Sequence, residues 1–203
     1  MRAVADKALV ERPDGTLEVE STKNHVHLLK DRVIKSFVSG KRSTKRFRRE
    51  VEALERLRGM DGFPALLEQS KNPHRVHISR LPGQPLAGLE AAPDSVYVTL
   101  RTLVDQMLQA GVARHSLPPR DVIVRPDGSA GLVDFERSRC RRVRFGPIWL
   151  VSSAVTRFQL LRLLGEAAPH LLSDKERSQL QARSRLRAVY RQYLDLRKQY
   201  KRR

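Results

Sequence analysis

The feature that most constrains the fold of this chain is a segment near its middle, residues 114–136, with the sequence RHSLPPRDVIVRPDGSAGLVDFE. Two short apolar runs, DVIV and AGLVDF, flank RPDGS, in which Pro, Asp and Gly favour a tight hairpin. A loop with two prolines precedes the hairpin, and its second strand ends on Asp134. A carboxylate at the end of an apolar strand is costly to bury without a partner, so the hairpin predicts a polar site at its edge.

The first third of the chain has the alternation and the turn residues of a β-sheet. The turn RPDG at 12–15 separates ALVE from TLEVE, and a charged turn at 30–31 separates HVHLL from RVIKSFV. In the last of these strands the period of two places Val33, Lys35 and Phe37 on one face. FPALLE and RVHISRL are compatible with two further strands. Lys35 therefore points to the same side of the sheet as two apolar residues.

Apolar residues at helical spacing predict helices in the rest of the chain. Gly59 and Gly111 follow the first two stripes, Pro147 suits the first turn of a third helix, and Ser173 with Glu176 fits a capping box. The stripes consist of Phe47, Val51, Leu54 and Leu57; of Leu100, Leu103, Val104, Met107 and Leu108; and, near the C-terminus, of Leu186, Val189, Tyr190, Tyr193, Leu196 and Tyr200.

An irregular connector, LPGQPL at 81–86, divides the β-rich part of the chain from the helical part. Pro and Gly are typical of segments between compact units. We therefore predict an α+β domain of two lobes. Residues 1–82 form an N-lobe with a small antiparallel sheet and one helix, and residues 83–203 form a mostly helical C-lobe that carries the hairpin and basic C-terminal helices.

The order of several short motifs points to a family. VIK ends a strand, RREVEAL lies on a helix, LPGQPL forms the connector, a helix closes on AGV, and RHSLPPRDVIV and GLVDFE follow. In this order the motifs resemble the protein-kinase-like superfamily, and within it the small atypical bacterial branch of lipopolysaccharide core sugar kinases and RIO-like proteins. The resemblance covers roughly residues 20–140 and implies a minimal two-lobe kinase-like fold with ATP and Mg²⁺ as cofactors.

The resemblance also implies roles for four residues. Lys35 would contact the nucleotide phosphates, and Glu50 would pair with Lys35 and fix its position. Asp134 would bind Mg²⁺, and Asp121 stands where the second metal ligand is usually asparagine. The simpler interpretations are an ordinary strand lysine, a solvated helix carboxylate, and a structural salt bridge between Asp134 and one of the many arginines.

The chain departs from the family pattern at its catalytic loop. Ser116 stands where the pattern has the aspartate that acts as general base, and a hydroxyl cannot replace a carboxylate base near neutral pH. The segment ESTKNHVHLL lacks the glycines of a phosphate-binding loop, for which Lys23, Asn24 and backbone amides are candidate substitutes. Glu136 replaces the usual glycine after Asp-Phe. Because positioning dominates phosphoryl transfer, these changes predict reduced activity and do not exclude it.

The charge of the chain predicts anionic partners. Lys and Arg number 40 against 22 Asp and Glu, which gives a formal net charge of +18. The arginines are dense in RSRCRRVR at 137–144 and in the segment 175–203. An anionic membrane surface, a phosphorylated sugar or nucleic acid would each account for this excess. The arginines around the single cysteine, Cys140, are expected to lower the pKa of its thiol.

These observations favour an ATP- and Mg²⁺-dependent phosphotransferase that acts, by resemblance, on a lipopolysaccharide core sugar. The first alternative is a catalytically impaired pseudokinase that regulates or scaffolds other proteins. A basic nucleic-acid-binding protein is the weakest alternative, because the sequence contains no nucleic-acid-binding motif. One cysteine and no apolar segment long enough to span a bilayer lead us to expect a cytoplasmic protein, with peripheral contact to the inner membrane.

Overall fold

The computed structural model describes residues 8–11, 17–20, 24–38, 40, 42–143 and 146–182. An antiparallel sheet of six strands occupies the N-terminal part. Its strands are β1 (Ala8–Glu11), β2 (Leu17–Glu20), β3 (Asn24–Leu28), β4 (Arg32–Phe37), β5 (Leu66–Lys71) and β6 (His74–Ser79). They lie in the order β1-β2-β3-β4-β6-β5. The predicted sheet is confirmed, whereas the predicted turn at 12–15 lies outside the described residues.

Strand β4 is central in this sheet, and its alternation decides the position of Lys35. Lys35 lies opposite Val26 of β3 and Val76 of β6. The side of β4 that carries Lys35 and Phe37 is buried, as the period of two predicts. A lysine on this face needs an anionic partner, because an unpaired buried charge is strongly destabilising.

One helix, α1 (Ser43–Arg56), covers this face of the sheet. Its predicted stripe is confirmed, since Phe47, Val51, Leu54 and Leu57 are all buried. Phe47 makes an edge-to-face contact with Phe37, with ring centroids 5.9 Å apart. The same side of α1 carries Glu50, which is completely buried. The helix thus brings a carboxylate against the face of β4 on which Lys35 lies.

The C-terminal part is built on two long helices, α2 (Asp94–Gln109) and α3 (Pro147–Ala167). One short strand, β7 (Gln84–Pro85), precedes α2, and four lie between the two helices: β8 (Val112–Arg114), β9 (Val122–Val124), β10 (Ala130–Leu132) and β11 (Ser138–Cys140). Strands β10, β9 and β7 form one antiparallel sheet, and β11 pairs with β8. The predicted hairpin of 114–136 is β9–β10, and Pro147 begins α3 as predicted.

The connector between the two parts depends on one glycine. Gly83 has a φ of 120°, and a Cβ atom there would lie 2.1 Å from the carbonyl oxygen of Val124. Only glycine permits this approach of the connector to β9. The predicted lobe boundary between residues 82 and 83 falls in this connector, after β6 and before β7.

The C-terminal end of the described chain starts a further helical segment, 174–182. The predicted capping box is confirmed: the Ser173 N–H donates to the Glu176 carboxylate at 2.9 Å, and the Glu176 N–H donates to the Ser173 hydroxyl at 3.3 Å. The predicted apolar stripe from Leu186 to Tyr200 lies outside the described residues. Within the part of the chain that the structure describes, no helix has the length and apolar character needed to cross a membrane.

Candidate functional site

Three of the four predicted site residues meet around the ammonium group of Lys35. Its Nζ donates to Glu50 Oε1 at 2.9 Å and to Asp134 Oδ1 at 2.8 Å. Lys35 and Glu50 are buried, whereas the side chain of Asp134 keeps 40% of its accessible surface. One cation is thus shared between a carboxylate sealed in the core and a carboxylate that is open to solvent.

The charges in this cluster shift the pKa values of its members. Burial alone would lower the pKa of Lys35, but the carboxylates of Asp134 and Glu50 outweigh burial and raise it. Burial raises the pKa of Glu50 to about 7, against the opposing effect of Lys35. Among the described residues, Glu50 Oε2 has no hydrogen-bond partner. Lys35 is therefore firmly charged, whereas the negative charge on Glu50 is costly.

The shifted pKa of Glu50 predicts how the stability of the protein depends on pH. The folded pKa of about 7 lies above the ordinary value of 4.5, so the folded state holds this proton more tightly and loses stability as pH rises through that window. The Glu50→Gln variant has no carboxyl group to ionise at this position. Its free energy of unfolding in urea should therefore rise relative to that of the wild type by at least about 1 kcal/mol from pH 5 to pH 8.

A matched control for this comparison is Glu55→Gln, at an exposed position of the same helix. It should follow the wild type at both pH values. The stability difference between Glu50→Gln and the wild type should change with pH. If it stays constant, the pKa of the Glu50 carboxyl group is not raised by burial.

The fourth predicted residue, Asp121, lies near the cluster but has a different partner. It is buried, and its Oδ2 accepts a hydrogen bond from Nη2 of the buried Arg114. Burial raises the pKa of Asp121, Arg114 opposes this, and the charge of Asp134 raises it further. The two aspartates therefore lie close enough to repel each other. A cation between them would relieve this repulsion.

Arg114 is a residue of the site that sequence reasoning missed. It also donates from Nη1 to the carbonyl of Val133 at 2.9 Å, and its guanidinium lies over the ring of Phe135, 5.3 Å from the centroid. Its backbone N–H donates to the Thr156 hydroxyl of α3 at 2.9 Å. Arg114 thus ties the loop around Ser116 to the segment that carries Asp134. One sequence signal could have indicated this role. Arg114 directly follows the apolar segment GVA and precedes Asp121 by seven positions.

A second cluster joins the start of β3 to the residue after Asp134 and Phe135. The Asn24 side-chain amide donates to Glu136 at 2.6 Å, and its oxygen accepts from Arg46 of α1 at 3.0 Å. Asn24 and Glu136 are both buried. The side chain of Asn24 is thus held by two protein groups, and its role as a substitute for the glycine-rich loop stays a prediction. Lys23 lies outside the described residues.

Ser116 is half-buried in the loop that follows β8. Its neighbour His115 has Nδ1 3.1 Å from the carbonyl oxygen of Arg137. Partial burial and the positive charges of Arg137, Arg114 and Arg49 lower the pKa of His115. These surroundings favour the neutral form of the imidazole. The loop therefore presents a hydroxyl and a neutral ring where the kinase pattern has a carboxylate.

The thiol of Cys140 differs from its expected state. The nearby arginines led us to expect a lowered pKa, but burial and the carboxylate of Glu52 raise it to about 12. The expectation was wrong because the strand β11 turns the thiol into a desolvated position beside an acid. Within the described ranges, no group of three or more His, Cys, Asp or Glu side chains is arranged to hold a metal ion.

Comparison with known proteins identifies the fold. The sequence matches no protein-family model and no curated protein sequence. The solved structures that are similar to the chain include two of WbdD. The co-crystal structure of WbdD with the kinase inhibitor LY294002 gives a TM-score of 0.55 at 20% identity and covers 71% of this chain and 36% of that chain. A 2.2 Å crystal structure of WbdD gives a TM-score of 0.54 at 20% identity and covers 70% and 35% of the two chains.

The chain thus has a minimal, two-lobe protein-kinase-like fold. The predicted fold class is confirmed: a small antiparallel sheet with one helix precedes a mostly helical part with the β9–β10 hairpin. The chain spans only about a third of the length of the WbdD chains that it matches, 36% and 35%. At 20% identity the likeness shows the fold alone, and the chemistry must be argued from the residues of this chain.

Proposed function

We propose that this chain binds ATP with Mg²⁺ and acts as a phosphotransferase. The observation that carries the proposal is the Lys35 ammonium held between buried Glu50 and solvent-accessible Asp134. Glu50 fixes the ammonium, and Asp134 presents a carboxylate at the same point. A fixed cation next to an accessible carboxylate suits a ligand that combines phosphates with a divalent metal.

The donor set supports Mg²⁺ as the metal. Carboxylate oxygens are its preferred protein ligands, and Asp134 and Asp121, whose negative charges repel each other, would supply them. Asp121 uses Oδ2 for Arg114, and its Oδ1 lies 3.7 Å from Nε of the exposed Arg120, so Mg²⁺ at Oδ1 would have to displace Arg120. When bound, Mg²⁺ neutralises phosphate charge and orients the nucleotide. Lys35 would then move its contact from Asp134 to the phosphates while keeping Glu50.

Ser116 would orient the acceptor hydroxyl by a hydrogen bond. It cannot take the proton as a carboxylate does, so the expected rate is low. The acceptor that we propose is a sugar hydroxyl of the lipopolysaccharide core, because the motif order resembles the small atypical bacterial sugar kinases. The strongly basic composition is consistent with a phosphorylated acceptor of this kind.

A second candidate function is supported by the contacts of Asn24, Asp121 and Glu136. Asn24 holds Glu136 where a mobile phosphate-binding loop would be expected, and Arg114 neutralises Asp121. Together with Ser116, these contacts favour a pseudokinase that binds nucleotide and acts through a partner protein. The two candidates share nucleotide binding and differ in phosphoryl transfer.

Transfer of a labelled γ-phosphate separates the two candidates. The purified chain would be incubated with labelled ATP, Mg²⁺ and lipopolysaccharide core oligosaccharide. The phosphotransferase proposal predicts slow labelling of the sugar that is lost in Lys35→Met and kept in Lys30→Met, which changes an exposed lysine of the turn before β4. ATP binding without any labelled sugar would favour the pseudokinase. Labelling that persists in Lys35→Met would contradict both assignments of the site.

A further inference from the structure

A second concave surface lies apart from the Lys35 cluster. It is a pocket of about 900 Å³ between α1, the segment 138–143 and the start of α3. This volume is in the range of about 300–1,000 Å³ that is usual for ligand sites. None of Lys35, Glu50, Asp121 or Asp134 lines it. The nucleotide proposal therefore does not account for this pocket.

The lining of the pocket is strongly basic. Six cationic side chains contribute to it: Lys45, Arg48, Arg49, Arg139, Arg141 and Arg142. The first three lie at helical spacing on a face of α1 other than the one that buries Glu50. The acid in the lining, Glu52, is 3.2 Å from Arg56 and is thus already paired. The pocket therefore has a large excess of positive charge, and the first residues of α3, 147–149, also line it.

The rim of the pocket is apolar and exposed. Val143 and Ile148 line the pocket, and their exposed fractions are 66% and 64%. Val151, one turn further along α3 and 64% exposed, lines a smaller neighbouring pocket that shares Arg49, Ser138 and Arg139 with the first. Single exposed apolar residues are ordinary. Three of them line two neighbouring basic pockets, and a purely electrostatic site does not need them.

We propose that this surface docks on an anionic membrane, with the phosphate of a lipid headgroup in the basic pocket. Val143, Ile148 and Val151 would enter the interfacial layer beside the headgroup. Cations that bind phosphate and neighbouring apolar side chains that leave water are the two components of peripheral membrane binding. This inference stands apart from the nucleotide site and does not depend on phosphotransfer.

The combination of charge and exposed apolar groups favours a membrane over two other anions. A free phosphate would be bound by the cations alone and would leave the apolar rim in water. Nucleic acid would use the cations, but it is usually held by aromatic stacking as well. The aromatic ring of the lining, Trp149, already has the Arg141 guanidinium over one face, and the exposed residues beside it are valine and isoleucine. Of the three partners, only a lipid surface would contact both the cationic side chains and the exposed apolar side chains.

Trp149 is the single tryptophan of the chain and is part of the lining of the pocket. Its fluorescence therefore reports binding at this surface. The Arg141 guanidinium lies over its ring, 5.4 Å from the centroid. In the full chain, vesicles of phosphatidylcholine with phosphatidylglycerol should shift the tryptophan emission to shorter wavelength. Vesicles of phosphatidylcholine alone should leave it unchanged.

Vesicle sedimentation with two matched triple variants tests the position of the docking surface. Lys45→Glu/Arg48→Glu/Arg142→Glu reverses three exposed cations of the pocket. Lys30→Glu/Arg58→Glu/Lys71→Glu makes the same change of net charge at exposed positions outside it. The pocket variant should bind phosphatidylglycerol vesicles at least about tenfold more weakly than the control variant. Ile148→Ser should weaken binding of the otherwise unchanged chain about five- to tenfold.

Both triple variants keep the basic segment 183–203, so any contribution of that segment is the same in each. Equal binding by the two variants would overturn the proposal, as would absence of binding to phosphatidylglycerol vesicles. A Trp149 response to millimolar inorganic phosphate without vesicle binding would identify a phosphate site and reject the membrane. Binding of the wild type to RNA but not to vesicles, lost in the pocket variant, would likewise reject it. Circular dichroism melting curves establish that each variant is folded.

Discussion

Asp134→Ala is expected to abolish the magnesium-dependent part of ATP binding. Asp134 is the solvent-accessible carboxylate of the Lys35 cluster, and its charge raises the pKa of Asp121. Without it, the metal loses its accessible ligand, and the affinity for ATP with Mg²⁺ should fall by more than about 100-fold. Isothermal titration calorimetry with and without Mg²⁺ measures this directly.

The backbone at Asp134 calls for a second variant. Its φ of 69° is in the left-handed region, which Asn tolerates better than Ala. Asp134→Asn keeps the backbone favourable and removes the charge, so it should lose the same magnesium dependence without a large loss of stability. The exposed Asp105 of α2 provides the control, and Asp105→Ala should bind as the wild type does. Unchanged magnesium dependence in Asp134→Asn would remove Asp134 from the metal site.

Ser116→Asp is expected to raise the rate of phosphoryl transfer. The substitution supplies the carboxylate that the family pattern has at this position, and a positioned general base contributes about 10²–10⁴ in rate. Because the transition state of phosphoryl transfer is loose, we expect the lower part of this range or less, an increase of at least about tenfold. The measurement is ADP formation and sugar labelling at saturating ATP.

Ser116→Asn is the matched control, since it has nearly the same shape as Ser116→Asp but cannot accept the proton. Ser116→Ala should leave the affinity for ATP with Mg²⁺ nearly unchanged, because Ser116 contacts the acceptor and not the nucleotide in this proposal. If Ser116→Asp and Ser116→Asn have the same activity as the wild type, the loop no longer has catalytic geometry. The pseudokinase then becomes the better account.

The core of the candidate site could be predicted because it follows from local periodicity. A period of two fixed the side of Lys35, and a helical stripe fixed the side of Glu50. The position of Asp134 at the end of an apolar strand predicted that its carboxylate belongs to a polar site. Each prediction needed only neighbouring residues, and the order of the motifs supplied the long-range arrangement. The structure brings these three side chains within hydrogen-bonding distance.

The remaining contacts could not be predicted because they join segments that are distant in sequence. Asn24 and Glu136 are 112 positions apart, and no local pattern indicates that they form a hydrogen bond. Arg114 and Asp121 are close in sequence, but only the course of the loop decides that they pair. The raised pKa of Cys140 likewise depends on burial and on Glu52 of a different element.

The basic pocket could not be predicted either, because it is formed by segments that are distant in sequence. The sequence shows a dense group of arginines at 137–144, and it shows cations on α1, but it does not show that the two face each other. Net charge predicts the sign of a partner and not its position. The exposure of Val143, Ile148 and Val151 also could not be predicted from the sequence, because exposure depends on tertiary structure.

Titration of the wild-type chain with ATP tests the proposal that the cluster of Lys35, Glu50 and Asp134 binds a nucleotide with its metal. With Mg²⁺ present, we predict saturable binding of one ATP per chain in the micromolar to millimolar range, much weaker when EDTA removes the metal. No detectable binding at millimolar ATP with Mg²⁺, or binding of equal strength with and without the metal, would contradict it.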